Sequence, residues 1–599
     1  MLSDPCGVKP TKMPESKDIW VVAMAAFIDD GEIPCPVGLS AVEVSTGDYH
    51  WQDLSGEDGP REPPRFIIDE RSTIVTYFGS IEAAVFRRLN WPMPSKQLDL
   101  FAEFRCKHNG RWSTEGYTYE KALAIYEVDN GYIPGHVFHG DYGDRPLPVR
   151  GAERSIRRGS KQFVSSLAAL YQAMREDIDN DWAPFRGRYM QVVGEIESNG
   201  IPMDVDLYNS LLNSWSDIIA SLIRDMDDIG VYEEGHFRTR RFENYLNRKS
   251  IPWPKLPSGE LALDSATFKA MAGLYPQLEA IGSLRTILSK FRALRLSIGK
   301  DGRNRSSLAP FRSKTGRNQP SSTRFIFGAP SWLRRLVKPQ RGKALAYIDY
   351  EQQEFGIAAA LSRDPAMMAA YESGDPYLAF AKDAGAIPPD GTRSTHPKIR
   401  EIYKECCLAV MYGMGAESFA MRTGLTPLEA NDILSRHQRT YTRFWRWCTE
   451  YENVCLWKRV AKLRLGWRLI LPNEVNLRSL RNFPMQGNGA GLLQLLLIML
   501  SDAQIKTCAP VHDAVLIESD VDEIEEKSVQ AQKIMERAGE IIFDGFRLRT
   551  DCTIIAYPHR FEPGGGEDIW KLVTSKINPE LIGGGKNGDE SGQGHNQKN

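Results

Sequence analysis

No one sign of charge dominates these 599 residues: 75 Lys and Arg stand against 77 Asp and Glu. A net charge of −2 supplies no global field for a polyanion, so any basic surface has to be local. Cysteine is scarce, with nine residues, no CxxC pair, and only Cys406 and Cys407 adjacent. That argues against a disulfide framework or a cysteine-built zinc site and for a reducing compartment. Long hydrophobic runs are also missing. The N-terminal MLSDPCGVKPTKMPESKD lacks the apolar core of a secretory leader. The longest greasy run, Leu492 to Leu500, is too short to span a bilayer and is broken by Gln494; it reads as a buried helix. There is no internal repeat. The expectation is a soluble, cytoplasmic chain of several α/β domains with no membrane partner.

What is present has a clear order. IWVVAMAAF and VGLSAVEV, within residues 19–47, read as two strands, and apolar stretches at Thr73–Phe86 and Leu98–Phe104 continue an α/β pattern to about residue 175. FRGRYMQVVGEIESNGIPMD predicts a helix ended by Gly200. Residues 205–300 are helical and charged, and beyond 340 strands and long helices alternate. The tail from Gly583 is Gly-, Asn- and Gln-rich and is expected to be disordered.

Between Arg285 and Arg317 lie ten cations (Arg285, Lys290, Arg292, Arg295, Lys300, Arg303, Arg305, Arg312, Lys314, Arg317) against one acid, Asp301. A solvated helix face is the ordinary meaning of such a run. The excess within a nearly neutral chain, ending in the Gly/Ser-rich SKTGR loop, favours contact with a phosphate backbone, for which Lys290, Arg292 and Arg295 are the first candidates.

Three segments carry chemistry. In LAYIDYEQQEFGIAAALS, apolar Leu345, Tyr347 and Ile348 lead as a strand into Asp349; a carboxylate there is either a rigid ligand for a hard cation or the cap of the next helix. In VHDAVLIE, apolar residues flank His512-Asp513, as at the tip of a hairpin. Two strand-borne aspartates meeting in one sheet suit a two-metal phosphoryl transfer. In THPKIREIYKECCLAVMYGMG, Thr395 can cap and Pro397 can start a helix on which Arg400, Lys404, Leu408 and Tyr412 recur every fourth residue. Two cations a turn apart match a triphosphate, although a surface helix carries the same spacing.

Together and in this order, the three segments resemble motifs A, B and C of the family A DNA polymerases. Thr315-Gly316-Arg317, the Arg478…Asn482-Phe-Pro-Met-Gln486-Gly487 segment and LRTDCTII extend the resemblance over roughly residues 185–562. It implies a right-hand polymerase behind an RNase H-like 3′→5′ exonuclease-type domain: 1–180 exonuclease-like, 181–310 thumb, 311–374 and 446–582 palm, 375–445 fingers, 583–599 tail. It implies two Mg²⁺ ions, replaceable by Mn²⁺, on Asp349 and Asp513 with the Tyr350 carbonyl assisting. Arg400 and Lys404 would hold the triphosphate and Leu408, Tyr412 and Gln352 the rest of the nucleotide. Glu354 would exclude a 2′-hydroxyl. Arg317, Arg478, Asn482 and Gln486 would read primer and template, with His512 at the primer end. The implied partners are primer-template DNA and dNTPs, for a monomer assisted by replication accessory proteins.

Ala514 stands where the family has a Glu after the motif C aspartate, Leu408 replaces an aromatic of motif B, and Glu351 and Gln353 replace the usual Ser and Ile of motif A. With DPYLAFAKDAGAIPPD at 375–390, these features resemble the compact phage-encoded branch, some of whose members serve genomes with 2-aminoadenine in place of adenine. The residues leave dATP and its 2-amino analogue open, and imply the cytoplasm of an infected bacterium.

The exonuclease fold needs Asp-x-Glu on its first strand, because residues i and i+2 share a face. Here those positions are Ala23 and Ala25. Natural decay and deliberate replacement both account for them, and the intact VVxMxAF frame favours the second. Glu82 and Asp99 are candidate remaining acids, and no Tyr-x₃-Asp motif is found near Lys161–Leu170. A single-subunit RNA polymerase is the same-fold alternative, opposed by Glu354; a non-catalytic DNA-binding relative is opposed by the presence of both Asp349 and Asp513.

Overall fold

A near-continuous apolar run buried on both faces makes Asp18–Phe27 (β1) a central strand. Cys35–Glu43 (β2), Tyr49–Asp53 (β3), Ser72–Thr76 (β4) and Gln97–Asp99 (β5) complete a five-stranded sheet in the order β3-β2-β1-β4-β5. β2 is antiparallel to both β1 and β3, and β4 and β5 run parallel to β1. This mixed sheet, with the expected strands in place, is consistent with an RNase H-like fold. The computed structural model describes residues 18–56, 62–112, 116–128, 138–142, 145–148, 153–293, 295–575 and 577, of which 138–142, 145–148, 153–154 and 290–293 are described by backbone alone. The tail from Gly583 lies outside the described residues.

One face of β1 sets Val22, Met24 and Ala26 against Leu39, Ile74 and Val85, while Ala25 on the other packs with Val37 and Ile156. The helices Ser80–Arg88 (α1), Leu100–His108 (α2), Glu153–Met174 (α3) and Ala183–Asn199 (α4) accompany the sheet. α4 ends as read from sequence, at Gly200 with φ 60°, a conformation that costs glycine little.

The chain divides into two compact units, 1–200 with 307–320 and 345–554, and 201–306 with 321–344 and 555–599. α4 therefore clusters with the N-terminal sheet rather than with the helices after it. In the first unit a second sheet, antiparallel at its hairpin, has the order β7-β8-β6-β9, built from Lys343–Tyr350 (β6), Thr507–Val511 (β7), Ala514–Asp520 (β8) and Thr550–Ala556 (β9). Gln353–Ser362 (α5) follows β6 directly. Pro397–Met411 (α6) carries the third sequence segment and Thr442–Lys458 (α7) follows it.

The 26-residue helix Leu477–Asp502 (α8) is capped by Asn476, contains Pro484, and is buried over most of its length. Its far end is tied to α4: Ser501 Oγ donates to Glu195 at 2.6 Å and Arg188 reaches Asp502 at 2.7 Å. By length and composition α8 could cross a membrane, but 89% of its apolar window is inside the protein; no other described helix passes that test. Ile524–Ile542 (α9) succeeds β8. The second unit is mainly helical (Val205–Asn213, Trp215–Met226, Thr239–Arg248, Ser265–Leu274, Glu279–Ala293), as its sequence predicts.

Candidate active site

Asp349 is the penultimate residue of β6, and His512-Asp513 form the two-residue turn closed by the Val511–Ala514 pair. His512 takes φ 58° there, which leaves its side chain exposed and turns the polar pair out of an otherwise apolar hairpin. Asp349 and Asp513 are neighbours, close enough for the charge of Asp513 to act on Asp349. Burial, and then the neighbouring negative charge, raises Asp349 above the ordinary carboxylate range. Asp513 is raised by burial, opposed by the nearby charges of Arg317 and His512. Asp349 Oδ1 is buried without a hydrogen-bond partner.

A third acid joins them. Glu351 N donates to Arg549 O and Tyr557 N to Lys343 O, which sets the antiparallel β6–β9 register and puts Asp551 directly across from Asp349. Asp551 also adds to the negative field on Asp349. Sequence reading missed it because a polar residue on an exposed edge strand looks like ordinary surface. Two neighbouring carboxyls and an orphaned oxygen fit a hard divalent cation. Among the described residues, however, no three His, Cys, Asp or Glu form a ready-made cage, so oxygens from a ligand have to complete any coordination.

Glu354 lies in the first turn of α5. Its Oε1 accepts from Tyr412 Oη at 2.9 Å and from the Gln486 amide, while its Oε2 is buried without a partner. Burial and the Glu354 charge push the Tyr412 phenol up to about 12. Tyr412 caps α6 and is exposed, and Leu408 one turn earlier is half-buried. Gly413 follows with φ 64°; a Cβ there would meet Arg478 Cα, Cβ and Cγ at 3.0–3.1 Å, so Arg478 packs on the end of α6. Asn482 is half-buried with Oδ1 unpartnered. The site thus gathers Asp349, Asp513, Glu354, Tyr412, Gln486 and Arg317, with Arg478 beside them.

The structure gives several of the expected residues partners of their own. Arg400 is only 8% exposed; its Nε donates to Asp375 and its guanidinium lies over the Tyr377 ring. Lys404 is half-buried on Glu401 at 2.8 Å. Both cations share a face as predicted, but each already has an acid. Thr395 does not cap α6; its hydroxyl turns back to Thr392 and the N-cap is His396. Gln352 is the residue before α5, with φ 45°, and its Oε1 accepts from Arg549, so its amide is committed to the turn.

In the basic stretch, Arg285 donates to Leu263 O and lies over Phe237, while Arg303 and Arg305 are buried and Arg305 pairs with Asp301. These arginines support local packing, which periodicity and charge counting cannot distinguish from a phosphate face. Arg295 is exposed; the side chains of Lys290 and Arg292 lie outside the described residues.

In the N-terminal sheet Ala23 and Ala25 are buried. Asp99 already has partners within the protein: Oδ1 accepts from Ala102 N as the α2 cap, and Oδ2 accepts from Gly79 N and Thr76 Oγ1. Complete burial raises it to about 6. Glu82, also fully buried, accepts from Met24 N between the two alanines. From Ser155 to Met174, α3 offers no acid.

Residues 320–554 match the sequence model described as DNA polymerase family A. DNA polymerase I of Synechocystis sp. is 27% identical over 319 residues, 46% of this chain and 32% of its own. The DNA polymerase of Mycobacterium phage D29 is 21% identical over 380 residues, 59% of this chain and 60% of its own. The chain therefore spans about a third of the first relative's length and three fifths of the second's. In three dimensions, 89% of the chain superposes on 95% of the POL domain of Pol1 from M. smegmatis, solved in complex with DNA primer-template and dNTP, with a TM-score of 0.70 at 17% identity. The likeness to DNA polymerase family A in sequence thus spans residues 320–554, and in fold the chain resembles a POL domain.

Proposed function

We propose that this chain is a template-directed DNA polymerase, extending a primer 3′ end with dNTPs by two-metal phosphoryl transfer, and that its N-terminal domain does not proofread. The observation that carries the reading is the proximity of Asp349 and Asp513 beside the Glu354–Tyr412–Gln486 cluster. Asp349, Asp513 and the Tyr350 carbonyl would hold two Mg²⁺ or Mn²⁺ ions. Bound there, such ions supply charge neutralisation for the attacking 3′-oxygen and the departing pyrophosphate.

The protein's own groups do the rest. Arg400 and Lys404 exchange Asp375 and Glu401 for the triphosphate, so nucleotide entry swaps one set of ion pairs for another. Glu354, fixed by Tyr412 and Gln486, presents its carboxylate where a 2′-hydroxyl would sit, which speaks against ribonucleotides and the RNA polymerase alternative. Arg317, Arg478, Asn482 and Gln486 face primer and template, and His512 the primer end. The 201–306 helices serve as the thumb and 375–445 as the fingers. Ala23, Ala25 and an α3 without acids after Glu153 support a silent exonuclease domain.

Leu408, Ala514 and the 375–390 segment, with the phage relative, support a phage-encoded enzyme acting as a monomer in an infected cell's cytoplasm. Competition of dATP with its 2-amino analogue reads its base preference. The deciding test is primer extension with Mg²⁺: wild type extends, and Asp349→Ala and Asp513→Ala each lose roughly three orders of magnitude or more while still binding DNA. Either variant extending at the wild-type rate would remove the assignment.

A further inference from the structure

We infer that Arg549 is a positioning residue for this active site: it fixes the turn between Asp349 and α5 and thereby sets where Glu354 stands relative to the aspartates. The inference rests on the polymerase reading above and adds a residue to it.

The turn Tyr350-Glu351-Gln352 carries the chain from the metal-facing end of β6 into α5. It contains a non-glycine residue in the left-handed region, Gln352 at φ 45° and ψ 43°, and such a conformation persists only where its surroundings hold it. Arg549, across from Glu351 and just ahead of β9, supplies most of that hold. Its Nε donates to Glu351 Oε2 at 2.9 Å and its Nη2 to Gln352 Oε1 at 2.8 Å. Nη1 donates to the Tyr371 carbonyl and Nη2 also to Gly374 O at 3.2 Å.

Its backbone contributes too. Arg549 O accepts from Glu351 N, and Arg549 N donates to Tyr371 Oη, which itself donates to Glu351 O at 3.0 Å. The guanidinium carbon lies 4.2 Å from the Tyr371 ring centre. One planar fork thus ties the turn to the segment after α5, a task a lysine's point charge cannot reproduce. The arrangement also accounts for Glu351: an added acid next to the metal-binding strand is neutralised by a cation whose other bonds hold the turn.

Asp349 and Glu354 are linked through this turn and through nothing shorter. Releasing it should let α5 shift by a fraction of an ångström, which misplaces Glu354 more than it weakens DNA binding. The test is single-turnover primer extension with dNTP and rNTP by wild type, Arg549→Met, Arg549→Lys and Glu351→Gln. Arg549→Met should lower the dNTP rate roughly 10- to 100-fold and raise the rNTP-to-dNTP efficiency ratio several-fold, with primer-template affinity unchanged. Arg549→Lys should recover part of the rate but little of the discrimination. Glu351→Gln, which keeps an acceptor for Nε, should shift the ratio in the same direction but less. An active wild type whose ratio is unchanged in Arg549→Met, while thermal stability falls, would overturn the inference and leave Arg549 a general stabiliser. A wild type that extends nothing would instead overturn the functional reading beneath it.

Discussion

Glu354 is a carboxylate with one oxygen doubly bonded to neighbours and the other buried and unpartnered. Leaving such an acceptor unmet is costly, and a ligand hydroxyl directed at Oε1 would have to displace Tyr412 or Gln486. Glu354→Ala should therefore admit ribonucleotides with little loss of dNTP use, because trimming the side chain removes both clash and competition. Steady-state extension with each nucleotide set checks this, and a preserved discrimination ratio would place the gate elsewhere. At this scale the sequence was informative where polar residues interrupt apolar runs. Asp349 and His512-Asp513 stood out for that reason, and the hairpin tip was readable before any coordinates. Asp551 and Arg549 did not stand out, since their importance lies in cross-strand register, which no local pattern in LRTDCTII reveals. Arg400 was found, but its bond to Asp375, 25 residues away, was not.

Among the elements, β1 and the helices of residues 375–445 make opposite demands on charge. Ala25 faces Val37 and Ile156 in an apolar cluster, and the helix that supplies Ile156 has no acid beyond its first residue. This packing favours natural decay over deliberate replacement, contrary to what the VVxMxAF frame suggests. The double reversion Ala23→Asp with Ala25→Glu should cost roughly 2–4 kcal/mol of stability without trimming a labelled primer in Mg²⁺. Trimming by that variant would show that acids outside α3 complete the site. In the helix Pro427–Thr440, His437 is buried among Phe380, Tyr441 and Phe444 and accepts from Trp445 Nε1. Burial lowers it to about 3. The unfolded chain takes up the proton first as pH falls below about 6.5, so the stabilisation is complete above that value and is lost towards pH 3, at about 1.4 kcal/mol per unit. His437→Gln should flatten that part of the thermal midpoint's pH dependence; an unchanged slope between pH 6 and 4 would mean His437 is not the group responsible.

For the whole chain, the alternation of strand and helix patterns located both sheets, and the helical 205–300 region was legible from composition. The division between compact units after Gly200 was not, because α4 reads as the first of a helical series while it packs against α1, β5 and α8. The basic stretch divides in the same way: burial separates Arg285, Arg303 and Arg305, which serve the fold, from exposed Arg295. Replacing Lys290, Arg292 and Arg295 with Gln should weaken duplex binding equally across sequences and flatten its salt dependence by up to about one unit per lost phosphate contact. Arg305→Gln should lower the melting temperature and leave the salt slope unchanged. A salt slope that ignored the triple substitution would return the stretch to an ordinary solvated face. The long helix α8 has a mechanical consequence as well. It is a beam of about 39 Å at about 1.5 Å per residue, bolted at its rear to α4 and notched at Pro484, where a backbone bond to Leu480 is missing. Arg478, Arg481 and Asn482 sit on the short arm ahead of the notch, and Arg481 is paired with Glu452 of α7. Gln486 sits just behind it on the anchored arm. Bending imposed on the front arm is therefore taken up at the notch, and the residue that grips Glu354 keeps its footing while its neighbours one turn away give.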